Sequence, residues 1–378
     1  MHTATVTIDS SLVSADLSDF VVYIDLSDLP ASFWDVVTAS GGDIRCYKSD
    51  GTTELAREVV SCDTATDTGE LHVKYAGTLS SSSDTEIQIH ADGTSSDYAV
   101  TATYGRNNVW PSSYKTVLHQ NEASGSVLVD STVNGKDATM VGNLPTPTAA
   151  KIAKGQLYDG TGDYAELENT YGASFFDNDF TFSVWVEGND YATAALGVVS
   201  FLGEKNIYFR NRGSGSQLAF NMYTGSSNWL YTGALTTNTF YHFVIVRDKS
   251  AGVKLYQDGV LQSSNSFTSN ANSSSKQNSV GSVGYGGTYP WNGVIDEFRL
   301  LNATRSANWI STEYNNQNSP STFYSVTAEG GGGGGTNMQV NVSDSWKTVD
   351  AVKLNVGDVW YGVTSIKQNV GGVWETVF

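Results

Sequence analysis

Between about Asn108 and Tyr324, strand-like segments of five to seven residues recur roughly every ten residues, with turn signals between them. That spacing is the signature of an antiparallel β-sandwich. SVWV at Ser183–Val186 and HFVIV at His242–Val246 are near-continuous apolar runs and belong in its core. LYQDGVLQ, Leu255–Gln262, reads as a hairpin with Asp258-Gly259 as its two-residue loop, where glycine supplies the positive φ. The composition agrees. Charged residues are only 16% of the chain, below the usual roughly one quarter. Few charges with 12% aromatics suit strands better than surface helices.

The same grammar continues on both sides. Residues 1–105 contain TATVTI, DFVVYIDL, GDIRCYK, ELAREVVS, GELHVKYA and TEIQIHA, separated by Gly, Asp, Ser and Pro clusters. EIQIHA alternates with period two, the mark of a half-buried strand. One short helical turn is expected at LPASFWDVV. These residues read as a small antiparallel β-domain, and residues 106–325 as the sandwich. Residues 326–336 hold six consecutive glycines, Gly330–Gly335, which have maximal backbone freedom and nothing to bury, so a flexible linker is expected. Residues 337–378 repeat themselves: Trp346, Trp360 and Trp374 recur every 14 residues, each in a unit of two short strands. So short a module buries little alone, and its apolar residues are expected to pack on other copies or on a partner. The expected fold class is all-β throughout.

Lysine plus arginine number 21 against 39 aspartates and glutamates, a formal charge of −18. That balance argues against nucleic acid as a partner and against a polybasic membrane anchor. No run of 18 apolar residues exists to span a membrane as a helix. The opening MHTATVTIDSS has no charged segment leading into an apolar one, so no secretory signal is expected.

Three stretches carry family resemblances. FVVYIDLSDLPASFW, GDIRCYKSDGTTELAREV, GELHVKYAGTLS and TEIQIHADG, over residues 10–105, resemble an uncharacterised β-domain family that precedes laminin-G-like domains in bacterial and phage proteins. The ending HADGTSSDYA departs from that family's usual tyrosine–glycine–asparagine. The Asp130–Gly135 loop, Tyr158–Tyr164, Phe180–Val186, Tyr241–Val246, Leu255–Gly259 and Gly293–Ser306 resemble, in order, the laminin-G-like, concanavalin-type jelly roll. That resemblance implies two antiparallel sheets face to face, with a ligand surface at a loop end or concave face, often used for glycans. The tail repeats look like attachment or trimerisation modules of phage virion proteins.

Candidate chemistry is sparse. Cys46 and Cys62 flank a hairpin whose tip is near Asp50 and Gly51, so that Cys46 faces roughly Arg57 or Glu58. Two small buried apolar residues, or a disulfide, are the readings open there. The five histidines are scattered, without zinc-like spacing, and His242 reads as a strand histidine with a satisfied hydrogen bond. Catalysis by paired carboxylates finds no fitting string. Glu166 and Glu168 share a strand face without a third acid, and Asp296 and Glu297, being adjacent, fall on opposite faces. Calcium is a possible cofactor through Asp130, Asn134, Asp137, Asp163 and Asp296, the alternative being plain turn chemistry. For glycans, aromatic platforms are offered by Tyr223, Trp229 and Tyr231, and by Tyr285, Tyr289 and Trp291 with Asn292. The alternative is that these rings cap the sandwich or face another subunit.

The expected function is therefore a non-enzymatic bacteriophage virion protein, a tail fibre, spike or capsid decoration. It would be a homotrimer attached to other virion proteins through Trp346, Trp360 and Trp374, displaying a lectin-like domain to host-surface glycans. An extracellular bacterial adhesin and a purely structural decoration protein are the alternatives.

Overall fold

The computed structural model describes residues 2–167, 171–192, 196–202, 206–211, 216–271, 278–283 and 287–329, with six short backbone strands between Gln339 and Thr376. Its central body is a sandwich of two eight-stranded antiparallel sheets. The back sheet runs Thr146–Ala149, Lys154–Asp159, Asn292–Leu301, Phe180–Gly188, Phe240–Asp248, Gly252–Gln257 and Val260–Asn265, and Tyr114–Leu118 also pairs with Asn292–Leu301. The front sheet runs Val127–Leu128, Ala138–Val141, Tyr164–Leu167, Asn278–Val280, Gly197–Phe201, Ile207–Asn211, Leu218–Tyr223 and Ser227–Tyr231. Period-two alternation sends one set of side chains into the space between the sheets. Phe182 is central there, with ring centroids 5.6 Å from Phe201, 6.4 Å from Phe209 and 6.1 Å from Phe220. Each such ring, fully buried, contributes about 1.5–3 kcal/mol. Gly281, at φ +81°, is obligatory, because a Cβ there would stand 2.1 Å from the Tyr158 ring.

The N-terminal domain packs a five-stranded sheet and the three-stranded sheet Val21–Asp25, Thr68–Lys74, Arg57–Asp63 around a second core. Helix Ala31–Trp34 occupies the expected helical turn and buries Phe33 and Trp34. The domain is not continuous in sequence. Strand Tyr324–Glu329 returns from beyond the sandwich and pairs with His2–Ile8, from Thr3 opposite Glu329 to Ile8 opposite Tyr324. Residues 326–329 are thus strand rather than linker. The physical reason is that His2–Ile8 would otherwise present an unpaired edge, while Phe323 and Tyr324 bury in the same core. The hairpin at Asp50 pairs Cys46 with Leu55, two residues nearer the turn than the sequence suggested, because Asp50 accepts hydrogen bonds from the Thr52 and Thr53 amides and tightens it. Both cysteines are free thiols.

Helix Ala307–Asn318, within the residues expected to form only the sandwich, joins the two bodies. Ser306 caps it by accepting from the Trp309 amide. One side lies on the back sheet's outer face, where Ile310 packs with Val244, Val246 and Tyr256, and Trp185 Nε1 donates to Gln317 at 2.6 Å. The other side reaches the N-terminal domain. Trp309 packs on Phe20, and Asn316 satisfies both backbone groups of Tyr23 at 2.8 Å each, standing in for a missing strand neighbour. His242 lies beneath this helix, fully buried, with Nδ1 unpartnered and Nε2 3.9 Å from Glu313. The expected satisfied hydrogen bond is not formed. In the tail, three hairpins place Trp346 opposite Asn341, Trp360 opposite Asn355 and Trp374 opposite Asn369.

A chain ending at Phe323 is expected to melt below one ending at Glu329; equal melting points would mean the returning strand adds nothing. A second expectation concerns acid. Burial, with Arg299 adding to it, drives the His242 imidazole from 6.5 down to about 3. The unfolded chain therefore takes up a proton that the folded chain refuses. Stability is full above pH 6.5 and falls toward pH 3, with a limiting slope of about 1.4 kcal/mol per pH unit from this group. His242→Phe should flatten that acid limb in a Tm-against-pH series, and an unchanged limb would refute the assignment.

Candidate functional site

The sandwich has two outer faces. Helix Ala307–Asn318 and the N-terminal domain close over the back sheet. Nothing among the described residues does so for the half of the front sheet that ends at Ser227–Tyr231, where Trp229 is half-buried and Tyr231 is 39% exposed. Side chains pointing away from the core line up there in register. Glu166, Ser279, Ser200, Tyr208, Asn221 and Trp229 form one row across successive strands. Arg210, Ala219 and Tyr231 form the row beside it.

The geometry at the end of the first row is specific. Tyr208 and Trp229 flank Asn221 on either side, two strands apart, yet their ring centroids approach to 5.5 Å edge-to-face. The rings thus lean over the amide between them. Asn221 is only 1% exposed, and neither its Oδ1 nor its Nδ2 has a hydrogen-bond partner. A buried amide left unpaired costs about 1–3 kcal/mol. Trp229 also stacks with Tyr231 at 6.4 Å. Arg210 lies 5.0 Å from the Tyr208 ring and 5.6 Å from Tyr289, which is 36% exposed. Ala219 stands between Arg210 and Tyr231 in register. The surface combines flat aromatic area, a cation and an amide whose bonds are unmade. Such a set suits a ligand with both apolar faces and hydroxyl or carboxylate edges.

The structure sorts the sequence candidates. Trp229 and Tyr231 stack beside Tyr208, Tyr289 lies against Arg210, and half-buried Tyr223 is on the same strand face as Asn221. Tyr285 lies outside the described residues, as does Glu168. Trp291, expected at an exposed loop tip, is instead fully buried, its ring 6.2 Å from Tyr191 in the core. The cause is the Ser282–Pro290 bridge, which folds the segment back so that the closing strand begins at once. Asn292 belongs to the back sheet and accepts a hydrogen bond from Asn189. Tyr208, Arg210 and Asn221 were missed as site residues. The period-two pattern of Ile207–Asn211 was the signal that could have found the first two.

The expected calcium ligands do not converge. Asp130 engages both carboxylate oxygens with the Val117, Thr132 and Lys136 amides and the Thr132 hydroxyl. Asp137 accepts from the Asp130 amide, and the Asn134 amide donates to the Tyr114 and Lys115 carbonyls. Asp163 ties a separate turn by accepting from the Asp159 amide, and burial raises its carboxyl. Asp296 is buried on the back sheet, bonded to the Ile152 amide. These residues shape turns and a strand contact, and the five do not fit one ion. Asp296 and Glu297 both leave the core on the same side, because a bulge at Glu297, φ +50°, adds a residue to that strand.

Residues 159–311 match the model of the Concanavalin A-like lectin/glucanases superfamily, and the two-sheet sandwich agrees with a concanavalin-like fold. Among solved structures, domain 4 of a GH43 extracellular arabinanase from Geobacillus stearothermophilus, in complex with arabinotriose, is 19% identical; the match covers 53% of this chain and 98% of that one, at TM-score 0.41. The binding domain of Paraclostridial Mosquitocidal Protein 1 is 14% identical over 53% of this chain and 52% of that one, at TM-score 0.42. The ligand binding domain of botulinum neurotoxin serotype D, in complex with N-acetylneuraminic acid, is 15% identical over 54% of this chain and 51% of that one, at TM-score 0.41. The chain thus spans about half the length of the last two. No curated protein matches the sequence.

Replacing the unpaired amide by an apolar group of similar size removes its desolvation cost. Asn221→Leu is therefore expected to raise the stability of the free protein by about 1–3 kcal/mol in denaturant unfolding. A loss of stability would show that the amide is already satisfied.

Proposed function

We propose that the front-sheet surface around Trp229, Tyr231, Tyr208 and Asn221 binds glycans without transforming them. The observation that carries this reading is the unpaired Asn221 amide beneath the Tyr208 and Trp229 rings. A pyranose ring stacked on Trp229 and Tyr231 would offer its hydroxyls to that amide as the rings part, and a carboxylated sugar would pair with Arg210. Glycoside hydrolysis needs two facing carboxyl groups across the sugar. The residue row here holds one, Glu166.

The wider role we propose is display on a bacteriophage virion, as a fibre, spike or decoration protein acting as a homotrimer. The repeated tail supports this reading: three successive hairpins, each with a tryptophan at the same register position, suit attachment to copies or neighbours better than independent folding.

A glycan array probed with the whole chain, followed by calorimetry on the best hit, tests the binding reading. Trp229→Ala and Asn221→Leu should each weaken binding at least tenfold, about 1.4 kcal/mol, without loss of fold. Equal affinity in both variants would move the site elsewhere, and release of reducing sugar would overturn the non-enzymatic reading.

A further inference from the structure

Where the N-terminal domain meets the back sheet, four side chains distant in sequence converge. Glu70 and His72 come from strand Thr68–Lys74, His119 lies just past strand Tyr114–Leu118, and Glu297 sits in the bulge of Asn292–Leu301. All four are buried, and one donor atom from each lies within 4.8 Å of the others. We propose that Glu70, His72, His119 and Glu297 bind one divalent metal ion of the zinc class, clamping the N-terminal domain to the sandwich.

The donor set fits such an ion. Two imidazoles with two carboxylates suit zinc, and two carboxylates with neutral imidazoles balance its charge. The spacing fits as well. Glu70 Oε1 stands 2.9 Å from His72 Nε2 and 3.1 Å from His119 Nδ1, while His72 Nε2 stands 4.0 Å from Glu297 Oε1, which also contacts His119 Nδ1. Ligands around a tetrahedral ion with bonds of about 2.0–2.2 Å sit about 3.3–3.6 Å apart, so small shifts would open room for the ion.

The surroundings are those of an oriented ligand set. His119 turns its second nitrogen to Glu58 Oε2 at 3.4 Å, and Glu58 is fixed by Trp110 Nε1 at 2.8 Å and the Ser131 hydroxyl at 2.5 Å. The other oxygen of Glu297 accepts from Arg299, whose remaining arm reaches Glu313 at 2.8 Å. Two polar atoms of the cluster are left over. Glu70 is 0% exposed, its Oε2 has no partner, and neither does His72 Nδ1. Glu58 and His119 also line an interdomain cleft of about 300 Å³, which gives an ion a way in.

The alternative is a metal-free ion-pair network with a protonated His119. Titrating the chelator-treated whole chain with Co²⁺ decides between them. The expected result is one Co²⁺ per chain with the intense visible absorption of a four-coordinate site, abolished by Zn²⁺ and untouched by Ca²⁺. Zn²⁺ should also raise Tm, and chelator should reverse the rise. His72→Gln and His119→Gln, checked for fold by near-ultraviolet circular dichroism, should lose the absorption. Wild-type protein that binds no Co²⁺, or shows only the weak spectrum of a hydrated six-coordinate ion, overturns the proposal. So do folded variants that keep the absorption. If the variants fail to fold, the wild-type titration decides alone.

Discussion

One extra residue in one strand governs the architecture. At Glu297 the closing strand adopts φ +50°, and the pleat loses its alternation for a single step. Ile295 and Phe298 both stay in the sandwich core, while Asp296 and Glu297 both leave it on the far side. Without that step, one of the two acids would be forced among phenylalanines, or the strand would slip and turn its apolar set outward. With it, the back sheet acquires a charged outer face. Apolar side chains alone cannot cover such a face. It must be met by polar partners, and Arg299, Glu313, His119 and the N-terminal domain's Glu70 and His72 supply them.

The two outer faces consequently differ in kind. The back face holds the domains together, through Asn316 on the Tyr23 backbone, Trp185 on Gln317 and the Glu/His cluster. The front face keeps a row of polar and aromatic side chains, with the Asn221 amide unpaired among them. This division also shows where part of the net charge of −18 resides. Several carboxylates are enclosed within the molecule, and the front face carries a cation, Arg210, among uncharged rings.

Much of the fold was legible in the sequence because its signals are local. Short apolar runs between turns specify a sandwich, and Val-Trp units at constant spacing specify hairpins. Tyr223, Trp229 and Tyr231 were visible as candidates for the same reason, as aromatics grouped around a small-residue turn. The remainder depends on contacts that no local pattern carries. Glu70, His72, His119 and Glu297 are separated by up to 227 positions and meet only through domain packing. Trp291 looked like a loop-tip residue because its neighbours are glycines and a proline, but a single bridge draws it into the core. The strand Tyr324–Glu329 was hidden beside the glycine run, since its reason for being a strand is the unpaired edge of His2–Ile8, more than three hundred residues away.

That returning strand also fixes where force enters the molecule. Thr3 lies opposite Glu329, so the two ends of the folded body leave it within one strand spacing of each other, about 4.8 Å. A load carried from the tail would not be taken up first at the sandwich. It would first meet the ladder of six residue pairs between His2–Ile8 and Tyr324–Glu329, and then the buried polar contacts between the domains. The ladder that meets such a load first is thus on a different sheet from the front-sheet aromatic row.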